Sequence, residues 1–277
     1  MIIEDLKQQT PEWMQMRCGS AVGSRTADVM TRLKIANTNK ETGVKRNKGE
    51  YAQPHYDYLK EVAIERLTGN WRDSGIGNLK AVEWGIEQEP NARAQYELQT
   101  DLLVRPIGLA VHPKEKWFCA SPDSLVGDDG LMEVKCLASG NHIEIIETDK
   151  IPEKFIPQLM AQMACAERQW CDFVAYDPRL PQNLQLFIKR LDRSDYVKFR
   201  DVTQSVDSHI ADMEDEVKRF LEDVILYLGK LAEYSARFRT VTIPAHYVAP
   251  GSADDAGSAK EPSDGIGLSG RTLEDFR

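Results

Sequence analysis

Helical periods at both ends of the chain and short β-rich runs between them predict an α/β fold, a mixed sheet covered by helices. Apolar residues recur at helical spacing in residues 55–69, 78–99 and 206–234. LLVRPIGLAV, KWFCAS and LMEVKCL are short, β-rich and separated by Pro and Gly turns. PEKFIPQLMAQMACAER then returns to a helical pattern before the strands CDFVAYD and LQLFIKRLD. At 277 residues one large domain with appendages is expected.

In chain order, Ser24 or Thr26 caps a short helix over 27–33. Residues 31–50 carry six bases (Arg32, Lys34, Lys40, Lys45, Arg46, Lys48) against two acids, with no apolar period. They read as a mobile basic loop, which either tracks phosphates or is merely solvated. HYDYLKEVAIERLTG places apolar residues at 58, 59, 62 and 67 and stops at Gly69. The helix over 78–99 is expected to break near Pro90. The three β-rich runs read as a meander. The long helix from Val206 has a core stripe at 210, 213, 217, 220, 221, 224, 228 and 231. Its other face (Asp212, Glu214, Asp215, Glu216) reads as solvated acid. Beyond Pro250 the Gly, Ser, Asp and Ala content predicts disorder, so 1–240 and 241–277 are read as a folded domain and a flexible tail. Ile266, Leu268, Leu273 and Phe276 return near the end, as a docking peptide or as an idle terminus.

Hydrophobic residues make up 42% and charged residues 29%, as in ordinary soluble domains. No run of about eighteen apolar residues predicts a membrane span. The N-terminus MIIEDLKQQTPEW is too polar for a signal peptide, so a cytoplasmic protein is expected. Five cysteines (18, 119, 136, 165, 171) without a CxxC pair fit reduced thiols rather than a zinc or iron–sulfur cluster. Net charge −9 argues against a simple basic DNA coat, yet local charge decides DNA contact.

CASPDSLVGDDGLMEVKC concentrates the chemistry. A calcium loop fails, because Leu125 stands where a second ligand belongs. A surface hairpin explains Asp128 and Asp129 before Gly130 as turn residues. It explains less well why Glu133 and Lys135 share one strand face while Met132, Val134 and Cys136 take the other. The third reading is a PD-(D/E)xK nuclease motif: Pro122-Asp123, nine intervening residues, then Glu133-Val134-Lys135. Two carboxylates brought together repel, and a hard divalent cation relieves that while acidifying a water for attack on phosphorus. Lys135 then positions the water or offsets phosphoryl charge.

WMQMRCGSAVGS (13–24), VEWGIEQEPNAR (82–93), ASPDSLVGDDGLMEVKC (120–136), PQLMAQ (157–162) and AYDPRL (175–180) stand in an order and spacing that resembles the phage lambda exonuclease, or YqaJ-type viral recombinase, family over about residues 10–235. The resemblance implies a restriction-endonuclease-like PD-(D/E)xK core with a central mixed sheet flanked by helices. By position it implies Asp123 and Glu133 as metal ligands with the Val134 carbonyl, Lys135 as catalytic lysine, Glu89 on metal or water, and Gln158 orienting the lysine or phosphate. It places the terminal 5′-phosphate on Arg17, Ser24 and Ser121, whereas residue by residue a salt bridge and a helix cap explain the first two as well. It implies Mg²⁺, with Mn²⁺ able to substitute, and 5′-to-3′ digestion of linear double-stranded DNA leaving 3′ overhangs. A ring-shaped homotrimer, a single-strand annealing partner and a phage or prophage setting in a bacterial cytoplasm follow from the same likeness. The tail has no counterpart in that pattern. Alternatives on the same residues are a structure-specific or restriction-like endonuclease and a catalytically silent DNA-end-binding protein.

Overall fold

The computed structural model describes residues 1–38, 43–71 and 79–238. The elements in the first half are β1 (Ile2–Ile3), α1 (Pro11–Arg17), β2 (Ala21–Val22), α2 (Thr26–Met30), β3 (Asn37–Thr38), β4 (Lys45–Arg46), α3 (Gln53–Thr68), α4 (Leu79–Thr100), β5 (Val104–Pro106) and β6 (Leu109–Val111). They are followed by β7 (Phe118–Ala120), β8 (Ser124–Val126), β9 (Gly130–Lys135), α5 (Ser139–Thr148), α6 (Ile156–Ala166), β10 (Trp170–Tyr176), β11 (Leu186–Asp192), β12 (Tyr196–Phe199), β13 (Val202–Ser205) and α7 (Val206–Phe238).

Local chemistry sets several ends. Thr10 caps α1 by accepting from the Trp13 N–H at 3.3 Å, with Pro11 in the first turn. Gly69 ends α3 in the left-handed conformation, φ 68°. The expected break at Pro90 does not occur: α4 runs through it. Pro90 and Ile86, whose carbonyl loses its partner, are both exposed, so water can take the place of the missing N–H.

The β-rich runs do not form one meander. The strand LLVRPIGLAV divides at Ile107–Gly108: β5 pairs with β8, while β6 pairs with β1 and β7. Gly108 sits where a Cβ would come 2.0 Å from the Leu6 carbonyl oxygen, so only glycine admits the N-terminal segment there. The result is a four-stranded sheet, β1-β6-β7-β2, and a five-stranded mixed sheet, β11-β10-β9-β8-β5. In the second, β9 and β10 are parallel and the other pairs antiparallel. A parallel pair needs a long crossover, supplied by α5 and α6.

The five-stranded sheet is covered on both faces. Leu131 and Phe173 face the main core with Met160 of α6 and Phe220 of α7. Met132, Val134 and Val174 face a second cluster with Ala92 and Tyr96 of α4. Each fully buried Leu, Met, Phe or Val among these contributes about 1.5–3 kcal/mol. A buried carboxylate fixes α4 in place: Asp172 of β10 accepts from Tyr96 Oη at 2.8 Å and from Arg190 at 2.8 and 2.9 Å. Glu89 lies two turns before Tyr96 on that helix.

The stripe of α7 from Ile210 to Leu228 is buried as its spacing predicts. Its acidic face is not wholly solvated. Glu214 meets His112 Nε2 at 2.9 Å, and Glu216 accepts from Arg32 and Tyr51, each at 2.5 Å. Among the described residues no helix is long and apolar enough to cross a membrane, and all five cysteines are free thiols. The proposed tail, 241–277, lies outside the described residues.

Candidate active site

On β9 the side chains alternate between the two covered faces, so Glu133 and Lys135 turn together toward α6. Asp123 stands immediately before β8, the antiparallel neighbour, and its Oδ2 accepts from the Val134 N–H at 2.6 Å. Lys135 Nζ donates to Glu133 Oε1 at 2.6 Å. Gln158, at the start of α6, donates to the same oxygen at 2.5 Å. Gln162, one turn later, donates to Glu133 Oε2 at 2.5 Å. Glu133 is 2% exposed, so these donors replace water around a buried charge. Gln162 was not singled out from the sequence; its four-residue spacing from Gln158 was the available signal.

The electrostatics show why a cation suits this place. Burial, then Glu133, then Glu89 push Asp123 well above the usual carboxylate range. Burial also raises Glu89, against the pull of Arg93, with Glu133 adding to the rise. For Lys135 burial opposes the charge, but Glu133 and Asp123 outweigh it and hold its pKa above the ordinary lysine value. Asp123, Glu133 and Glu89 thus feel one another, and their all-oxygen chemistry fits a hard divalent ion. Among the described residues no three His, Cys, Asp or Glu side chains are already gathered at ligand spacing. Glu133 instead takes its donors from Lys135, Gln158 and Gln162. Val134 presents its N–H to Asp123; the structure brings the residue to the site without giving its carbonyl a ligand role.

Glu89 and Asp123 line a cleft of about 660 Å³ together with Arg93 and the N-terminal segment 4–10. Arg93 pairs with Glu89. Gln8 pins the segment by donating to the carbonyls of Ile107 at 2.8 Å and Pro122 at 2.9 Å, next to Asp123.

A second cavity, about 160 Å³, is lined by Arg17, Ser24, Ser20, Arg25, Tyr58 and Trp71, with Glu61 and Glu65 at its wall. Arg17 is buried; its guanidinium lies 3.8 Å from the Trp13 ring centroid and 5.2 Å from that of Trp71. Burial lowers its pKa below the usual arginine value, a cost that a bound anion would offset. Ser24 does not cap α2. It lies in a 3-10 turn, Gly23–Arg25; Arg25 stands at the N-cap of α2 without a side-chain cap, and Thr26, the first helical residue, donates its Oγ1 hydrogen to the Gly23 carbonyl. Ser121 does not line this cavity; it accepts from Trp13 Nε1 at 3.0 Å, two residues before Asp123. Trp13 therefore bridges the Arg17 cavity and the loop that carries Asp123.

The basic segment is not a structureless loop. β3 and β4 pair, and an isolated bridge joins Arg32 to Tyr51. Arg32 is engaged by Glu216 and stacks 3.7 Å from the Tyr51 ring centroid; Arg46 donates to Gln53 and stacks on Tyr56. Lys34, Lys45 and Lys48 are exposed. Lys40 lies outside the described residues.

The sequence matches the family described as the YqaJ-like viral recombinase domain over residues 12–169. Among solved structures, the chain is similar to the alkaline exonuclease LHK-Exo of Laribacter hongkongensis. For its complex with dAMP the identity is 38%, the TM-score 0.67, and the coverage 83% of this chain and 100% of that one. A further structure of the same exonuclease gives 37% identity, a TM-score of 0.65 and the same coverage. Comparison with curated proteins finds no match.

Proposed function

Because the chain belongs to the YqaJ-like viral recombinase family, we propose that it is a divalent-cation-dependent exonuclease acting on linear double-stranded DNA. The observation that carries this reading is the meeting of Asp123, Glu133 and Lys135 beside a buried arginine cavity reached through Trp13 and Ser121. The similarity to an alkaline exonuclease supports it.

A bound divalent ion, Mg²⁺ with Mn²⁺ as substitute, would supply Lewis acidity, polarising the phosphate and lowering the pKa of a water. Asp123, Glu133, Glu89 and the Val134 carbonyl would hold it. Lys135, which donates to Glu133 Oε1, would also donate to the water or to a phosphoryl oxygen. Gln158 would keep the lysine and carboxylate in register. In the second cavity Arg17, with its planar fork of donors, and Ser24 would hold a terminal 5′-phosphate, with Ser121 at its edge. Gripping the 5′ end gives 5′-to-3′ digestion and a 3′ overhang, the substrate of a single-strand annealing protein in recombination. A homotrimeric ring around the duplex would make digestion processive.

The test compares linear and covalently closed circular duplex, with and without Mg²⁺, and with 5′-phosphate or 5′-hydroxyl ends. Cleavage confined to Mg²⁺ and linear DNA, faster on phosphorylated ends, is expected. Cutting of the closed circle would instead support an endonuclease. Binding of ends without any cleavage would support a silent end-binding protein.

A further inference from the structure

Gln158 and Gln162 stand one turn apart on α6 and each donates to a different oxygen of Glu133 at 2.5 Å. Their surroundings differ. Gln158 is half-buried, whereas Gln162 is 1% exposed. An amide can face either way round, and here its direction is set from behind: Cys171 Sγ, buried on β10, donates to Gln162 Oε1 at 3.7 Å. Burial pushes the Cys171 thiol well above its ordinary range, so it keeps its proton. With Oε1 engaged by the thiol, Nε2 is left to point at Glu133.

We propose that Gln162 is a positioning residue that fixes Oε2 of Glu133 and so presents Oε1 to the cation and to Lys135. This rests on the reading of Glu133 as a cation ligand. The last torsion of a glutamate is broad, so an unrestrained carboxylate has no preferred orientation. Without Gln162, Oε2 would be a buried acceptor lacking its donor. Lys135, 22% exposed, approaches Oε1 and marks that oxygen as the one facing the open side. Groups that hydrogen-bond a metal ligand from behind typically change metal affinity by about 10–100-fold when removed.

The experiment is a calorimetric titration of the full chain, free of DNA, with Mn²⁺, alongside binding of 5′-phosphorylated duplex in chelator. Q162M keeps the side-chain length and removes the N–H donor. Its Kd for Mn²⁺ should rise about 10-fold or more, while its duplex affinity in chelator stays at the wild-type value. A merely structural role would not separate the two. Mn²⁺ affinity within about twofold of wild type would overturn the proposal. Should Q162M fail to fold by circular dichroism, Q162N, which withdraws the amide by one methylene, is judged on the same two measurements. E133Q separates this inference from its premise. If it binds Mn²⁺ as wild type does, the ligand reading falls and this one with it; if it loses Mn²⁺ while Q162M keeps it, only the role of Gln162 falls.

Discussion

Replacing Asp123 by Asn should raise the melting temperature of the metal-free protein near pH 7. Folding raises the pKa of Asp123 through burial and the neighbouring Glu133 and Glu89, so the folded state favours the protonated form. The penalty is absent below the unfolded value of about 4 and grows as pH rises toward the folded one. Asn keeps an acceptor for the Val134 N–H and carries no charge; a gain of about 1 kcal/mol, or 2–4 °C, is expected by calorimetry. The same substitution, like Lys135→Ala, should lower cleavage about 10²–10⁴-fold while leaving DNA binding largely intact. Substantial Mg²⁺-dependent activity in Lys135→Ala would sink the lysine's assignment. Arg17→Ala should erase a preference for 5′-phosphorylated ends worth about tenfold in rate, read by comparing the two kinds of end. That Glu133 and Lys135 share a face was legible because two-residue spacing on a strand forces two charges onto one side. Gln162 was not: its spacing from Gln158 puts both amides on one helix face, but amid Leu, Met and Ala it does not tell which buried charge they meet.

The basic segment around β3 and β4 divides its bases by partner. Neutralising exposed Lys34, Lys45 and Lys48 should flatten the salt dependence of DNA binding by about 2–3 in log–log slope if each meets a phosphate. Arg32→Ala should instead leave that slope unchanged and lower the melting temperature, because Arg32 ties the hairpin to Glu216 of α7. A latch follows β10: Asp177 is buried, and although burial opposes its charge, Arg179 and Ser139 hold its pKa at about 2. Arg179 also donates to the Leu137 carbonyl, just past Lys135, at 3.0 Å. This depressed carboxylate contributes fully above about pH 4 and is lost as pH falls through about 2. Half-exposed Arg179 reduces its worth to about 1–2 kcal/mol. Asp177→Asn should therefore flatten the pH dependence of stability between those values, measured by urea unfolding. Among elements, the long periodic helices were readable from spacing. The division of LLVRPIGLAV was not, since Gly108 is required by Leu6, distant in sequence. The β12–β13 hairpin was hidden too: its turn places Arg200 and Asp201 at φ 53° and 65°, without the glycine that usually marks such a bend.

For the whole molecule, net charge −9 and a proposed DNA channel are compatible only if the bases gather on an inner surface while the acids face out. A ring satisfies this, and sedimentation should then give three times the chain mass. Deleting residues 250–277 should spare nuclease activity and weaken co-purification with the proposed annealing partner; unchanged capture would make the tail a spacer. The parallel pairing of β9 with β10 bears on how the enzyme comes into being. Residues 136–169 must emerge and close over the sheet before β10 can pair, and Gln158 and Gln162 belong to that crossover. A chain that has left the ribosome only as far as Lys135 carries Glu89, Asp123, Glu133 and the lysine, yet neither of the amides that donate to Glu133. Such a nascent chain should be inert toward DNA. In refolding experiments cleavage should return no earlier than hydrogen-exchange protection of α6, a late event expected of long-range parallel pairing.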